Sequence, residues 1–202
     1  MSSILSGLFR RRPSDDPAAF QAFLERQAAF VTQKTVLDYC RVKAGRREKE
    51  TFADPDFRAA LAHCRWQTFA GAVADMAAMA EAWLRPHAPG REATLVAALG
   101  RIGGAILVAA PTPPEKRPSL DAAAEALPRH LAGLQDAPPL PADRLPLLAE
   151  APLLATLPIH PDQRKGETPS IRGALRFHVV STQQEMERGF DAPALARRLT
   201  AG

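Results

Sequence analysis

The chain has 202 residues, 46% of them hydrophobic, and carries a formal charge of +4 with two cysteines. This length and apolar content support one domain with a real core, and two cysteines exclude a disulfide scaffold. Residues 1–50 carry ten Lys/Arg against six Asp/Glu, and the remaining 152 carry sixteen of each, so the whole excess lies in the first quarter. A local basic surface follows, and general coating of nucleic acid is disfavoured, the more so with aromatics at only 6%.

Residues 1–12, MSSILSGLFRRR, place Ile4, Leu5, Leu8 and Phe9 on one side of a short helix, followed at once by Arg10, Arg11 and Arg12. That order suits an arm contacting a membrane surface, where each arginine near an anionic leaflet adds about 1 kcal/mol, and equally an arm that docks on its own bundle or stays disordered. The basic run follows the apolar start, the reverse of a secretory signal. The expected compartment is the cytoplasm, with the arm peripheral on the inner membrane face.

Pro13 and Pro17 punctuate the next stretch, with Asp15 or Asp16 as cap. A long helix follows to about Ala44, ended by Gly45, with Phe20, Phe23, Leu24, Val31 and Val42 marking its buried side. The basic loop Arg46, Arg47, Glu48, Lys49, Glu50 then leads into the longest helical pattern, residues 54–85. Asp54 caps it, Pro55 takes its first position and Pro86 stops it. At about 100° per residue, Phe57, Leu61, Cys64, Thr68, Ala72 and Met79 fall on one apolar face. Ala62, Trp66, Phe69, Val73, Ala77, Ala80 and Leu84 fall on another, leaving only His63, Gln67 and Glu81 as a wet strip. A helix apolar around most of its circumference sits inside a bundle. The short connection makes it the antiparallel neighbour of the first long helix.

Residues 92–109 form a glycine-bearing helix through Leu95, Leu99, Ile102 and Ile106. Arg101 and three glycines interrupt the apolar run, which reads as a core helix in preference to a membrane span. Twelve of the nineteen prolines then fall between positions 111 and 161. Short helices over about 120–134 and 145–157 are expected there, the first kinked or split at Pro128. After a turn at Gly166 and Pro169, Ile171, Leu175, Val179, Met186 and Phe190 predict a helix capped by Gly189. A last short helix starts at Asp191 and Pro193 and runs to about Leu199.

The fold expected is therefore all-α: an irregular helical bundle built on a long antiparallel helix pair, with a Pro-rich wrapping segment of short helices and a C-terminal helix. Residues 1–14 form the amphipathic basic arm. Residues 15–202 form a single helical domain, with core helices over 15–110, the Pro-rich segment over 111–168 and C-terminal helices over 169–202.

Candidate chemistry is sparse. The sequence contains no nucleophile elbow, phosphate loop or dinucleotide fingerprint. His63, His87, His130, His160 and His178 are scattered, and Cys40 and Cys64 fit no metal or redox spacing, so they read as buried reduced thiols and no cofactor or metal is implied. What departs from the bundle pattern is charge on apolar faces. Lys34, Asp38 and Arg41 lie within or beside the stripe of the first long helix; Arg58 and Arg65 lie between the two faces of the second, and Asp75 lies on one of them. In an antiparallel register Lys34 comes level with Arg65 and Arg41 with Arg58, gathering four cations around Asp38. A buried charge must be paired, so the surplus implies solvent or an anionic ligand. Asp75 would take Gln27 or Arg101 in a structural hydrogen bond, and Trp66 reads as core or, beside Arg65, as part of a pocket wall.

Two functions follow from this pattern. The first is a non-enzymatic interaction or accessory protein, engaging a protein partner with an acidic surface or an anionic membrane surface through Ile4, Leu5, Leu8, Phe9, Arg10, Arg11 and Arg12 and the basic hairpin end. The alternative is a binding protein or enzyme for a small anionic molecule. Its pocket would lie between the first two long helices, lined by Lys34, Asp38, Arg41, Arg58, Arg65, Trp66 and Asp75.

Overall fold

A computed structural model describes residues 12–201. Ile4, Leu5, Leu8, Phe9, Arg10 and Arg11 of the expected membrane arm lie outside the described residues, and Arg12 is the first of them. The fold is all-α: the described residues form nine α-helices, with a π-helical turn and short 3-10 turns among the connections, and no strand.

Helix α1 (Pro17–Thr32) begins where Asp16 accepts the backbone N–H groups of Ala18 at 3.0 Å and Ala19 at 3.3 Å, with Pro17 at the first position. It does not end at Thr32. A π-helical turn over Gln33–Leu37 carries the chain directly into α2 (Asp38–Ala44), and Gly45, at φ +52°, closes the rod. The π turn changes which residues face inward. A pure α spacing continues the stripe of Phe20, Leu24 and Val31 through Lys34, Asp38 and Val42. The wider turn carries it through Thr35 and Val36 to Cys40 instead, all buried. Val42 is consequently 77% exposed, and Lys34, Asp38 and Arg41 turn toward water. The expected basic loop is itself helical, with α3 over Glu48–Ala53.

Helix α4 (Pro55–Leu84) spans 30 residues and starts at Asp54, whose carboxylate accepts the Phe57 N–H at 2.8 Å. Its two halves differ. Toward Leu84 it is enclosed: from Ala72 to Glu81 every residue but Ala74 is buried. Toward Pro55 only Leu61, Cys64 and Thr68 are buried. Alanines at 72, 77, 78 and 80 let neighbouring backbones close in.

Helix α5 (Glu92–Ala109) is, among the described residues, the one helix long and apolar enough to cross a membrane by length and composition. Here one side of it, through Leu95, Leu99, Ile102 and Ile106, is buried against other helices, while Arg101 and Val108 face outward. Helix α6 (Arg117–Leu134) lies along it and runs unsplit through Pro128. The proline ring sits over Gly100, where an added Cβ would come 3.3 Å from its Cγ. The missing side chain makes room for the ring, so the proline packs inside a helix instead of ending it.

The remaining helices close the structure: α7 (Glu150–Thr156) on α4, α8 (Thr168–Gly189) along the π turn and α1, and α9 (Ala192–Leu199) against α4 and α5. Ser14 is clamped between α8 and α9, donating to the Gly189 carbonyl at 2.8 Å and accepting from the Asp191 N–H at 2.9 Å. Phe190 then packs edge-on to Phe20 and Phe23, with centroids 5.0 and 5.4 Å apart.

Candidate ligand groove between the first and fourth helices

The anticipated site separates into four places. Lys34 and Arg41 both reach Asp38, at 3.1 and 3.6 Å, and Arg41 also reaches Glu48 at 3.4 Å. These side chains are 40–49% exposed, so the charges are solvated and pairwise balanced, not buried. Arg58 is exposed, and Arg47 pairs with Glu50 on the adjoining helix. Lys34, Arg41 and Arg47 of the hairpin end are therefore paired, while Arg46, Lys49 and Arg58 are in no ion pair among the described residues.

Asp75 is buried, with 1% exposure, and touches neither Gln27 nor Arg101. Its two oxygens accept the backbone N–H groups of Leu148 at 2.6 Å and Ala149 at 3.1 Å. Burial pushes its carboxyl up to about 7 against the pull of those two hydrogen bonds. One helical turn earlier, Gly71 lies so close to this segment that an added Cβ would stand 2.5 Å from the Ala149 Cα. Gly71 and Asp75 together form the seat on which the start of α7 docks. Gln27 pairs elsewhere, donating to Glu185 at 2.7 Å and accepting from Thr182 at 3.2 Å. Glu81, assigned to the wet strip by periodicity, is fully buried in a two-pronged pair with Arg85, at 2.7 and 2.8 Å.

Cys40 and Cys64 are both buried and free, and burial pushes the Cys40 thiol up to about 12. Among the described residues no three His, Cys, Asp or Glu side chains come together as metal ligands.

Arg65 and Trp66 are the two anticipated residues that share a cavity. It has a volume of about 280 Å³ and lies between α1 and α4 beside Ala110 and Pro111. Glu25, Ala29, Thr32 and Gln33 come from one helix and Ala62, Arg65, Trp66 and Phe69 from the other, each set at helical spacing along one stripe. Small residues at 29 and 62 leave the hollow that the larger side chains bound. Trp66 and Phe69 meet edge to face, centroids 5.9 Å apart and planes at 86°, and form an aromatic wall. Neither Arg65 nor Glu25 is in an ion pair among the described residues.

Thr32 is the informative member. Five threonines are buried, and the hydroxyls of Thr35, Thr68, Thr182 and Thr200 all have partners, three of them the carbonyl four residues back. The Thr32 hydroxyl is buried and has none. Its position is where α1 passes into the π turn, a helix irregularity that recurs at functional sites. The other unpartnered buried polar atom among the described residues, Arg164 Nε, belongs to a guanidinium already anchored to the Leu154 carbonyl at 2.7 Å.

Sequence reasoning found Arg65 and Trp66 because charge beside an aromatic interrupts the pattern there. It missed Glu25, Thr32, Gln33 and Phe69, which look like ordinary helix surface or core. The available signal was the pairing of Ala29 and Ala62, small residues level with two aromatics. No protein-family model, curated protein or solved structure matches this chain.

Proposed function

We infer that this chain is a non-enzymatic helical binding protein whose α1–α4 groove takes a small, flat, aromatic anion. The unpartnered Thr32 hydroxyl carries the reading. A buried hydroxyl without a partner costs about 1–3 kcal/mol, a cost recovered when the Thr32 side chain turns toward a ligand oxygen in the groove. Trp66 and Phe69 offer an aromatic wall, and Arg65 offers an unpaired guanidinium suited to carboxylate or sulfonate. The volume of about 280 Å³ is just below the roughly 300–1,000 Å³ of drug-sized sites, so the ligand is small. Binding is favoured over catalysis because the carboxyl held near neutrality, Asp75, faces the α7 backbone and not the groove.

The test uses the full chain with Trp83→Phe, leaving Trp66 as the sole indole, and titrates 1-anilinonaphthalene-8-sulfonate. Saturable one-site quenching is expected, weakened about tenfold by Arg65→Gln or Phe69→Ala. Thr32→Val should give a paired signature: a free protein more stable by about 1 kcal/mol and weaker binding, since the orphan hydroxyl goes in both states. Quenching that ignores all three substitutions would remove the reading.

A further inference from the structure

A second feature, independent of the groove, lies where the segment before α1 meets the end of α8. Arg12, Arg26 and Arg188 line an open cleft of about 720 Å³ with Ser14, Ala19, Phe23, Glu185, Gly189 and Phe190. We propose that this cleft is the docking surface for anionic phospholipid headgroups.

Three arginines from three separate stretches are held together by contacts already described. The Ser14 clamp fixes Arg12 beside the end of α8, and Phe190 seats that end on Phe20 and Phe23 of α1, the helix that carries Arg26. The Arg26 guanidinium lies 5.6 Å from the centre of the Phe23 ring, which supports it from below. Arg188 gives its Nε to the Gln184 carbonyl at 3.1 Å, and its terminal nitrogens make no hydrogen bond among the described residues. The one acid in the lining, Glu185, already accepts the Gln27 amide. None of the three arginines is in an ion pair among the described residues, whereas Lys34, Arg41 and Arg47 at the hairpin end each are. Guanidinium forks over an aromatic floor fit a phosphate whose glycerol side is less polar.

A membrane surface, and not a soluble phosphate compound, follows from what precedes Arg12 in the chain. In sequence, Arg10 and Arg11 directly precede Arg12, and Ile4, Leu5, Leu8 and Phe9 lie three to eight positions before it. Charge recognition and shallow insertion are the two signals that stable membrane association requires together.

The experiment is co-flotation of the full chain with vesicles of pure phosphatidylcholine or of phosphatidylcholine with 30 mol% phosphatidylglycerol, at low and high salt. Expected is binding to the anionic vesicles alone, weakened by salt. Each arginine lost should lower the partition coefficient about fivefold, so the exposed pair Arg26→Gln/Arg188→Gln should lower it roughly 25-fold. Arg46→Gln/Arg58→Gln, the same charge change on the hairpin end, should lower it much less. The proposal is overturned if the cleft pair binds like the unchanged chain or if both pairs weaken binding equally. Equal binding to neutral vesicles, or none to either, also overturns it. Millimolar inorganic phosphate abolishing flotation would assign the cleft to a soluble phosphate and equally overturn the lipid reading.

Discussion

Helices α1 and α4 and the segment over residues 111–167 both pack on one core, but different chemistry holds them. The helices hold each other by apolar burial. Phe20, Leu24, Ala28, Val31, Met76 and Ala77 are at most 1% exposed, and helical hydrogen bonds satisfy their backbones. The segment is rich in proline, which supplies carbonyls but no N–H, so its acceptors outnumber its donors. Arginine side chains make up the difference. From outside the segment, Arg85 donates to the Leu134 and Ala137 carbonyls and Arg176 to Ala142 and Leu145; from within it, Arg164 donates to Leu154. Arg117 works the other way, from the segment back to the end of α5 at Leu107, Val108 and Ala110. An irregular chain can thus be fixed on a helical core when forked donors replace the N–H groups it lacks.

Arg85→Met tests that contrast most severely. It strips Glu81 of its cationic partner while leaving the carboxylate buried beside the Gln135 amide, and it removes the donor that the Leu134 and Ala137 carbonyls share. A loss of about 3–5 kcal/mol is expected in urea unfolding. If the loss is under 1 kcal/mol, arginine anchoring does not hold the segment.

Gly71→Ala tests the seat of α7 next. The added methyl meets backbone atoms of Leu148 and Ala149, which cannot rotate away, so about 1–3 kcal/mol is expected, toward the upper end. Faster amide exchange across residues 142–157, with α1 unchanged, would localise the damage. Uniform acceleration would show that the two regions unfold as one.

Asp75→Asn follows at about 1–3 kcal/mol, because an asparagine oxygen can accept one of the two N–H groups but its amide cannot accept the other. The pH dependence gives a sharper reading. The folded value of about 7 lies above the ordinary 3.8, so between them the folded chain holds a proton that the unfolded chain has released. Stability contributed by Asp75 therefore falls as pH rises from about 4 to about 7. His130 and His178, held low by burial, act in the opposite direction in both proteins and cancel in the difference. The variant's stability profile should lack that decline; parallel profiles would mean the carboxyl is ionised throughout.

Arg117→Met should have the smallest effect, about 1 kcal/mol, seen as faster exchange at the end of α5.

The sequence by itself determined the helices. Caps at Asp16, Asp54 and Asp191, prolines at first positions and 3.6-residue apolar spacing are local properties, written in neighbouring residues, and they predicted an all-α chain. Burial of the two cysteines was legible for the same reason. The site was legible only at Arg65 and Trp66. Periodicity assumes an unbroken α phase, and the π turn at Gln33–Leu37 breaks it; this carried Lys34, Asp38, Arg41 and Val42 out to solvent. Partner choice was not local either: Asp75 took backbone groups more than seventy positions away, and Glu81 became buried because the Pro-rich segment folded over it. Phase slips and long-range hydrogen bonds depend on what packs against a helix, so only the tertiary structure decided which polar side chains face a cavity, and with them the Thr32 groove.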